Sequence, residues 1–275
     1  MKSFKNDLPK KEAEESKAYK MPADKEKIYA LLGGGTENIE LVLELLKGQP
    51  QLKKEIEEEL FPILETVGEE TLDVLPNFLS EINYRFAQAI RKGETEPWLK
   101  FPFIRSSVTT LYLRGNQLQK LPDSIGQLSN LTHLFLSENQ LQEVPDSIGQ
   151  LSNLTSLDLE HNQLQKLPDP IGQLNKLADL NLSYNQLQEV PDSIGQLSNL
   201  IELDLSDNQL QDVSDSIRQL SNLITLNLSY NQLQEVPDSI GQLNNLTELN
   251  LSENQLQDSQ KERIKKILPN CTIYF

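Results

Sequence analysis

An asparagine recurs every 23 residues, at Asn116, Asn139, Asn162, Asn185, Asn208, Asn231 and Asn254, without a slip in register. Each lies in the same frame, L-x-x-L-x-L-x-x-N-x-L, with Val108 taking the first apolar place of the first unit. The second unit reads Leu131, Leu134, Leu136, Asn139 and Leu141, then Val144-Pro145, Ile148 and Leu151. The sixth repeats it with Leu223, Leu226, Leu228, Asn231, Leu233, Val236-Pro237, Ile240 and Leu243. So short a unit cannot bury an apolar face by itself, whereas stacked copies bury a continuous one. The chain is therefore constrained to be a stack over residues 108–258.

Within a unit the L-x-L core alternates with period two, which predicts a short strand with one buried face. Successive strands are then parallel and about 4.8 Å apart. The recurrent Asn turns the chain, its amide pairing backbone groups that the turn leaves open. The segment Leu-Pro-Asp-Ser-Ile-Gly-Gln-Leu is too short for a full helix. Its Pro fixes φ and its Gly is expected to permit a tight bend, giving an extended or 3₁₀-like convex side. This pattern resembles the 23-residue class of leucine-rich repeats found in many intracellular and bacterial repeat proteins. The resemblance implies an α/β repeat fold: a leucine-rich-repeat solenoid with a curved parallel sheet and the strands on its concave face, here preceded by a small all-α domain.

The flanks lack the repeat. Residues 1–20 are charged and unpatterned and read as a disordered tail. Residues 21–92 carry helical apolar spacing, broken at Gly33-Gly34-Gly35, Gly48 and several prolines, and read as a small helical domain. Gly35 is followed by Thr36-Glu37, so the Lys of a phosphate loop is missing and that reading fails. Residues 93–107, with Trp98, Phe101 and Phe103, are expected to cap the first repeat. Residues 259–275 read as a C-terminal cap, an amphipathic helix from about Gln260 followed by a strand-like Cys271–Phe275.

Composition removes several classes. The net charge is -16, from 25 Lys+Arg and 41 Asp+Glu, which repels a phosphate backbone and argues against nucleic acid. One cysteine allows no intramolecular disulfide. No run reaches the length of a membrane span. The N-terminus turns polar at once, unlike a signal peptide, so a cytoplasmic location is expected. The glycosylation-like triplets at Asn130, Asn153, Asn181 and Asn245 fall out of the repeat consensus. No cofactor and no metal are expected, and the sequence leaves the oligomeric state open.

Candidate functional residues come from the columns of the concave face. The column two places after each unit's first apolar residue, the third column, reads Thr110, His133, Ser156, Asp179, Glu202, Thr225 and Glu248. The fifth reads Tyr112, Phe135, Asp158, Asn181, Asp204, Asn227 and Asn250. The eighth holds Glu138, His161, Tyr184, Asp207, Tyr230 and Glu253 after Gly115. His133, Ser156 and Asp179 are neighbours, but a hydrolytic triad needs the His between nucleophile and acid. His161 near Glu138 or Asp158 could suggest a metal, but a preformed ligand shell is lacking.

The chain is therefore read as no enzyme but a protein-binding module or scaffold. Its expected contact residues are Tyr112, His133 and Phe135 in repeats one and two. Beside them stand the acids Asp158, Glu160, Asp179, Glu202, Asp204 and Asp207, with Tyr184 and Tyr230. The implied partner is a protein with a basic surface. Two alternatives are a sensor whose helical domain is the effector, and an enzyme with a carboxylate site in that domain. Repeat five departs from the others, with Ser214 for the proline and Arg218 for the glycine. It is expected to be weak, and Ser214→Pro to stabilise it by about 0.4–1 kcal/mol.

Overall fold

The computed structural model describes Ala89, Ile90 and Lys92, which are helical, and residues 108–275. The chain divides into two units, Met1–Ile82 and Asn83–Phe275, and the described residues belong to the second. The expected tail, the expected cap at 93–107 and, apart from those three residues, the expected helical domain lie outside the described residues.

Each unit contributes one short strand: β1 Thr110–Tyr112, β2 His133–Phe135, β3 Ser156–Asp158, β4 Asp179–Asn181, β5 Glu202–Asp204, β6 Thr225–Asn227 and β7 Glu248–Asn250. An eighth, β8, spans Thr272–Tyr274. They form one parallel sheet in sequence order, curved along the stack. Its register is fixed by the central leucines, Leu111 opposite Leu134 and so on to Leu249 opposite Ile273. Those leucines and the ones two places on are buried. Every second side chain on a strand points the same way, so the third and fifth columns face out together.

The asparagines account for the buried backbone that the turns leave open. Asn208 Oδ1 accepts from Leu187 N in the preceding repeat at 2.9 Å. Its Nδ2 donates to Leu182 O, also in that repeat, and to Leu205 O and Ser206 O in its own. The same set recurs around Asn139, Asn162, Asn185 and Asn231. Each amide thus ties two repeats together, as the spacing predicts.

The convex side carries six 3₁₀ turns among the described residues, from Asp123–Gln127 to Asp238–Gln242. Proline precedes five of them in extended backbone, with φ between -64° and -75°. The role of the recurrent glycine differs from the expected bend. Among the described glycines only Gly115 has a positive φ. At Gly195 an added Cβ would lie 2.6 Å from Ser216 O of the next turn. Glycine is there because adjacent turns pack backbone against backbone.

Repeat five shows what the substitutions do. Ser214 keeps the proline geometry, at φ -57° and ψ 143°. Its hydroxyl accepts from Ser216 N at 3.1 Å and donates to Asp192 of the preceding turn. The serine is a helix cap, so the gain expected from proline is offset by a lost cap worth about 1 kcal/mol. Arg218 carries the Cβ that its counterparts avoid, and the turn after it packs less closely.

At the far end helix α1, Asp258–Ile267, replaces the 3₁₀ turn. Its Asp258 suits a helix N-terminus, and Lys265 and Lys266 suit the last turn. Ile264 is fully buried, and Ile267 Cβ lies 3.2 Å from where a Cβ on Gly241 would be. Arg263 reaches back to Asp238 at 2.7 Å and to Val236 O.

Candidate functional site: the concave strand face

The third and fifth columns form two parallel rows across the sheet. At the N-terminal end the rows are aromatic. Tyr112 is 68% exposed and stacks on Phe135, with ring centres 5.1 Å apart and planes 11° from parallel. His133 lies against the same ring at 6.2 Å. The sheet therefore brings Tyr112, His133 and Phe135 into one cluster.

The acids divide into two kinds. In the fifth column, Asp158 Oδ1 accepts from Glu160 N at 3.0 Å. Asp204 Oδ1 accepts from Ser206 N and Oγ, at 2.8 and 2.6 Å, and its Oδ2 from Asn227 Nδ2 at 3.1 Å. Asn181, Asn227 and Asn250 make the same local bond two residues on. From β3 to β7 this column is a ladder of Asx turns that ends each strand, and Asp158 and Asp204 serve it as well as any ligand. In the third column Asp179, Glu202 and Glu248 are exposed, with no side-chain hydrogen bond or ion pair among the described residues. With Asp204 they line a shallow depression of about 270 Å³ over β4–β7. Glu160 is half-buried and sits 3.8 Å from His161 Nε2.

The eighth column is set apart by its backbone. Glu138, His161, Tyr184, Asp207, Tyr230 and Glu253 all have φ between 51° and 56°. This left-handed step carries the chain off the strand, and only Gly115 meets it without strain. The column forms one rim of the face. His161 stacks on Tyr184 with centres 4.1 Å apart. The Asp207 charge, together with burial and a hydrogen bond between the two side chains, pushes the Tyr184 phenol up. Burial pushes the Asp207 carboxyl above its usual range, with Asp204 adding to it and Tyr184 opposing. Arg114 Nη2 binds Glu138 Oε1 at 2.6 Å, which holds that carboxyl low. Tyr230 is 56% exposed, one repeat beyond Asp207.

His133, Ser156 and Asp179 are register neighbours on β2, β3 and β4, as the spacing places them. His133 Nδ1 instead meets Thr132 Oγ1 at 2.9 Å. His161 is committed to Glu160 and Tyr184, and no cluster of three metal-ligating residues occurs among the described residues. Among the described residues, no helix is long and apolar enough to cross a membrane.

Sequence reasoning missed three exposed residues. Glu248 extends the acidic row. Ile201 and Ile224, 39% and 41% exposed, form the opposite rim. Their column, the second, reads Thr109, Thr132, Thr155, Ala178, Ile201, Ile224 and Thr247. The change from Thr to Ile is visible in the sequence, and the column lies one residue ahead of the strands, outside the rows read above.

The family described as "Leucine rich repeat" matches residues 106–164, 165–210 and 198–256, and a second description of it matches 245–270. Among solved structures, a leucine-rich-repeat protein of Leptospira interrogans is 40% identical with a TM-score of 0.51. The match covers 63% of this chain and 51% of that one. An internalin of Listeria monocytogenes is 25% identical with a TM-score of 0.54, over 65% of this chain and 49% of that one. The chain thus spans about half the length of these two proteins. No curated protein gives a significant match. The chain belongs to the leucine-rich-repeat family.

Proposed function

We propose that the repeats are a non-catalytic protein-binding module whose concave face takes a partner bearing a basic surface beside an apolar one. Leucine-rich-repeat domains are typically protein-interaction modules and non-enzymatic scaffolds, which supports the coarser part of this reading. The observation that carries the finer part is one sheet face holding an exposed aromatic cluster next to a row of unpaired carboxylates. Exposed aromatics are costly to leave wet and are the side chains that dominate interface energy. Carboxylates at about 4.8 Å strand spacing concentrate a negative field that steers a cationic partner.

The test is binding kinetics at two ionic strengths against a partner captured from the native cell extract. Phe135→Ala is expected mainly to raise the off-rate. Asp179→Asn with Glu202→Gln is expected to lower the on-rate and flatten its salt dependence. Wild-type kinetics in both variants would move the site off this face.

A further inference from the structure

The second column is where the repeat departs from what the fold needs. From Thr109 to Ile224 the carbonyl of each residue there accepts two backbone N–H groups of the next repeat, as Thr109 O does from Thr132 N and His133 N. Where the next residue is Thr its hydroxyl adds a third bond: Thr132 to Thr109 O at 2.8 Å and Thr155 to Thr132 O at 2.9 Å. Ile201 and Ile224 keep the backbone bonds, to Ala178 O and Ile201 O at 2.8 Å each, and forgo the hydroxyl. Their side chains stand in solvent instead. Ala178, Ile201 and Ile224 thus make an apolar ledge three repeats long. It runs beside Asp179 and Glu202, which follow Ala178 and Ile201 directly in sequence.

We propose that this ledge and the acidic row beside it dock a basic amphipathic helix of a partner protein, laid along the stack over repeats four to seven. The inference rests on the concave-face reading above and adds the form and place of the ligand. The argument is one of pitch and charge. Side chains on neighbouring repeats are about 4.8 Å apart, so the ledge spans about 9.6 Å. Two turns of α-helix rise about 10.8 Å, and an apolar stripe at i, i+4 and i+7 meets the ledge turn by repeat. An extended segment presents side chains about 6.7 Å apart on one face and is out of step by nearly 4 Å over the same distance. Lys or Arg beside the apolar stripe then reach Asp179, Glu202 and Glu248, the carboxylates left without partners. Such a helix fits in both period and charge.

The experiment uses the full chain and three fluorescent peptides of about 18 residues, roughly 27 Å if helical. All have the same Leu and Lys content. One is patterned at i, i+4 and i+7, one alternates Leu and Lys, and one is scrambled to remove any stripe. Fluorescence anisotropy is recorded at two salt concentrations, and circular dichroism checks each variant's fold. The striped peptide is expected to bind about tenfold tighter than the other two, a difference that shared charge cannot supply. Ile201→Thr with Ile224→Thr restores residues that repeats two and three already carry, and is expected to weaken striped binding about fivefold. Asp179→Asn with Glu202→Gln is expected to weaken it and to flatten its salt dependence. Equal binding of the alternating peptide, absence of binding by the striped one, or an unchanged affinity in the isoleucine pair each overturns the helix. Loss in the acid pair alone overturns the ledge and leaves the concave-face reading standing. No loss in either pair removes both.

Discussion

A tyrosine at φ 53° is a poor solution to a turn. Left-handed backbone costs a residue with a side chain about 1–2 kcal/mol relative to its usual wells, and asparagine tolerates it better than most. Tyr230 is more than half exposed and recovers little of that cost by packing. Tyr230→Asn is therefore expected to raise stability by about 0.5–1 kcal/mol in urea melts. A loss would mean that the ring holds the rim in place. The ladder asparagines behave oppositely. Asn185 accepts from Leu164 N and donates to three carbonyls, of Leu159, Leu182 and Ser183. Asn185→Asp removes the donors and sets a charge against those oxygens, so it is expected to cost about 2–4 kcal/mol at neutral pH. The new carboxyl has a raised folded pKa, so the penalty grows as pH rises above the unfolded value and shrinks in acid. A cost independent of pH would contradict this. Glu138 has the reverse sign. Arg114 lowers its pKa, so its small contribution is complete above the unfolded carboxylate pKa and fades as pH falls through the folded one.

At the scale of the element, the convex turn is where sequence reasoning was least secure. The strand rows were legible because period two and a fixed 23-residue spacing determine both face and register. The role of glycine was not. Pattern alone cannot distinguish a residue chosen for its φ from one chosen because another backbone passes close. Gly195 is the second kind, and Gly195→Ala would drive a Cβ against Ser216 O. That change is expected to cost about 1–3 kcal/mol, the range for overpacking. Arg218→Ala, where the neighbouring turn already accommodates a Cβ, should stay within about 0.5 kcal/mol. Equal effects in thermal melts would show that turn spacing is set by something else. The serine cap was hidden for a similar reason. Ser214 read as a lost proline, and the hydroxyl bond to Asp192 depends on a residue 22 places earlier. Ser214→Pro is now expected to shift stability by less than about 0.5 kcal/mol, against a loss of about 1 for Ser214→Ala. The candidate site was legible in its rows and in the residues of the eighth-column rim, Tyr184, Asp207 and Tyr230 among them, but not in that rim's backbone or in the second-column rim. The left-handed step and the exposed isoleucines both lie just outside the three-residue strands.

For the whole stack, stability is a sum of units and their nearest-neighbour contacts, so the ends decide how it fails. The C-terminal end is closed by two devices. β8 pairs with β7, covering a strand edge, and α1 with the residue that caps it buries Ile264 and Leu268 at this end. Arg263 ties the helix to the turn of repeat six. Removing residues 259–275 uncovers Leu246, Leu249, Leu251 and Leu256, all now buried. Their exposure forfeits about 1.5–3 kcal/mol for each side chain that becomes fully wet. The loss is local at first, since repeat seven touches only repeat six and the cap. Hydrogen exchange on the truncated chain is therefore expected to show β7 unprotected and β6 weakened, while β2 and β3 keep the protection they have in the full chain. The bared edge and leucines should also drive association, read as concentration-dependent sedimentation. Ile264→Ala is the milder version: it leaves β8 in place and costs about 2–5 kcal/mol from the same end. A truncated chain that stays monomeric with an unchanged melting curve would show that repeat seven closes the stack unaided. Uniform loss of protection from β1 to β7 would contradict the nearest-neighbour account, because a break at one end would then be felt equally at the other.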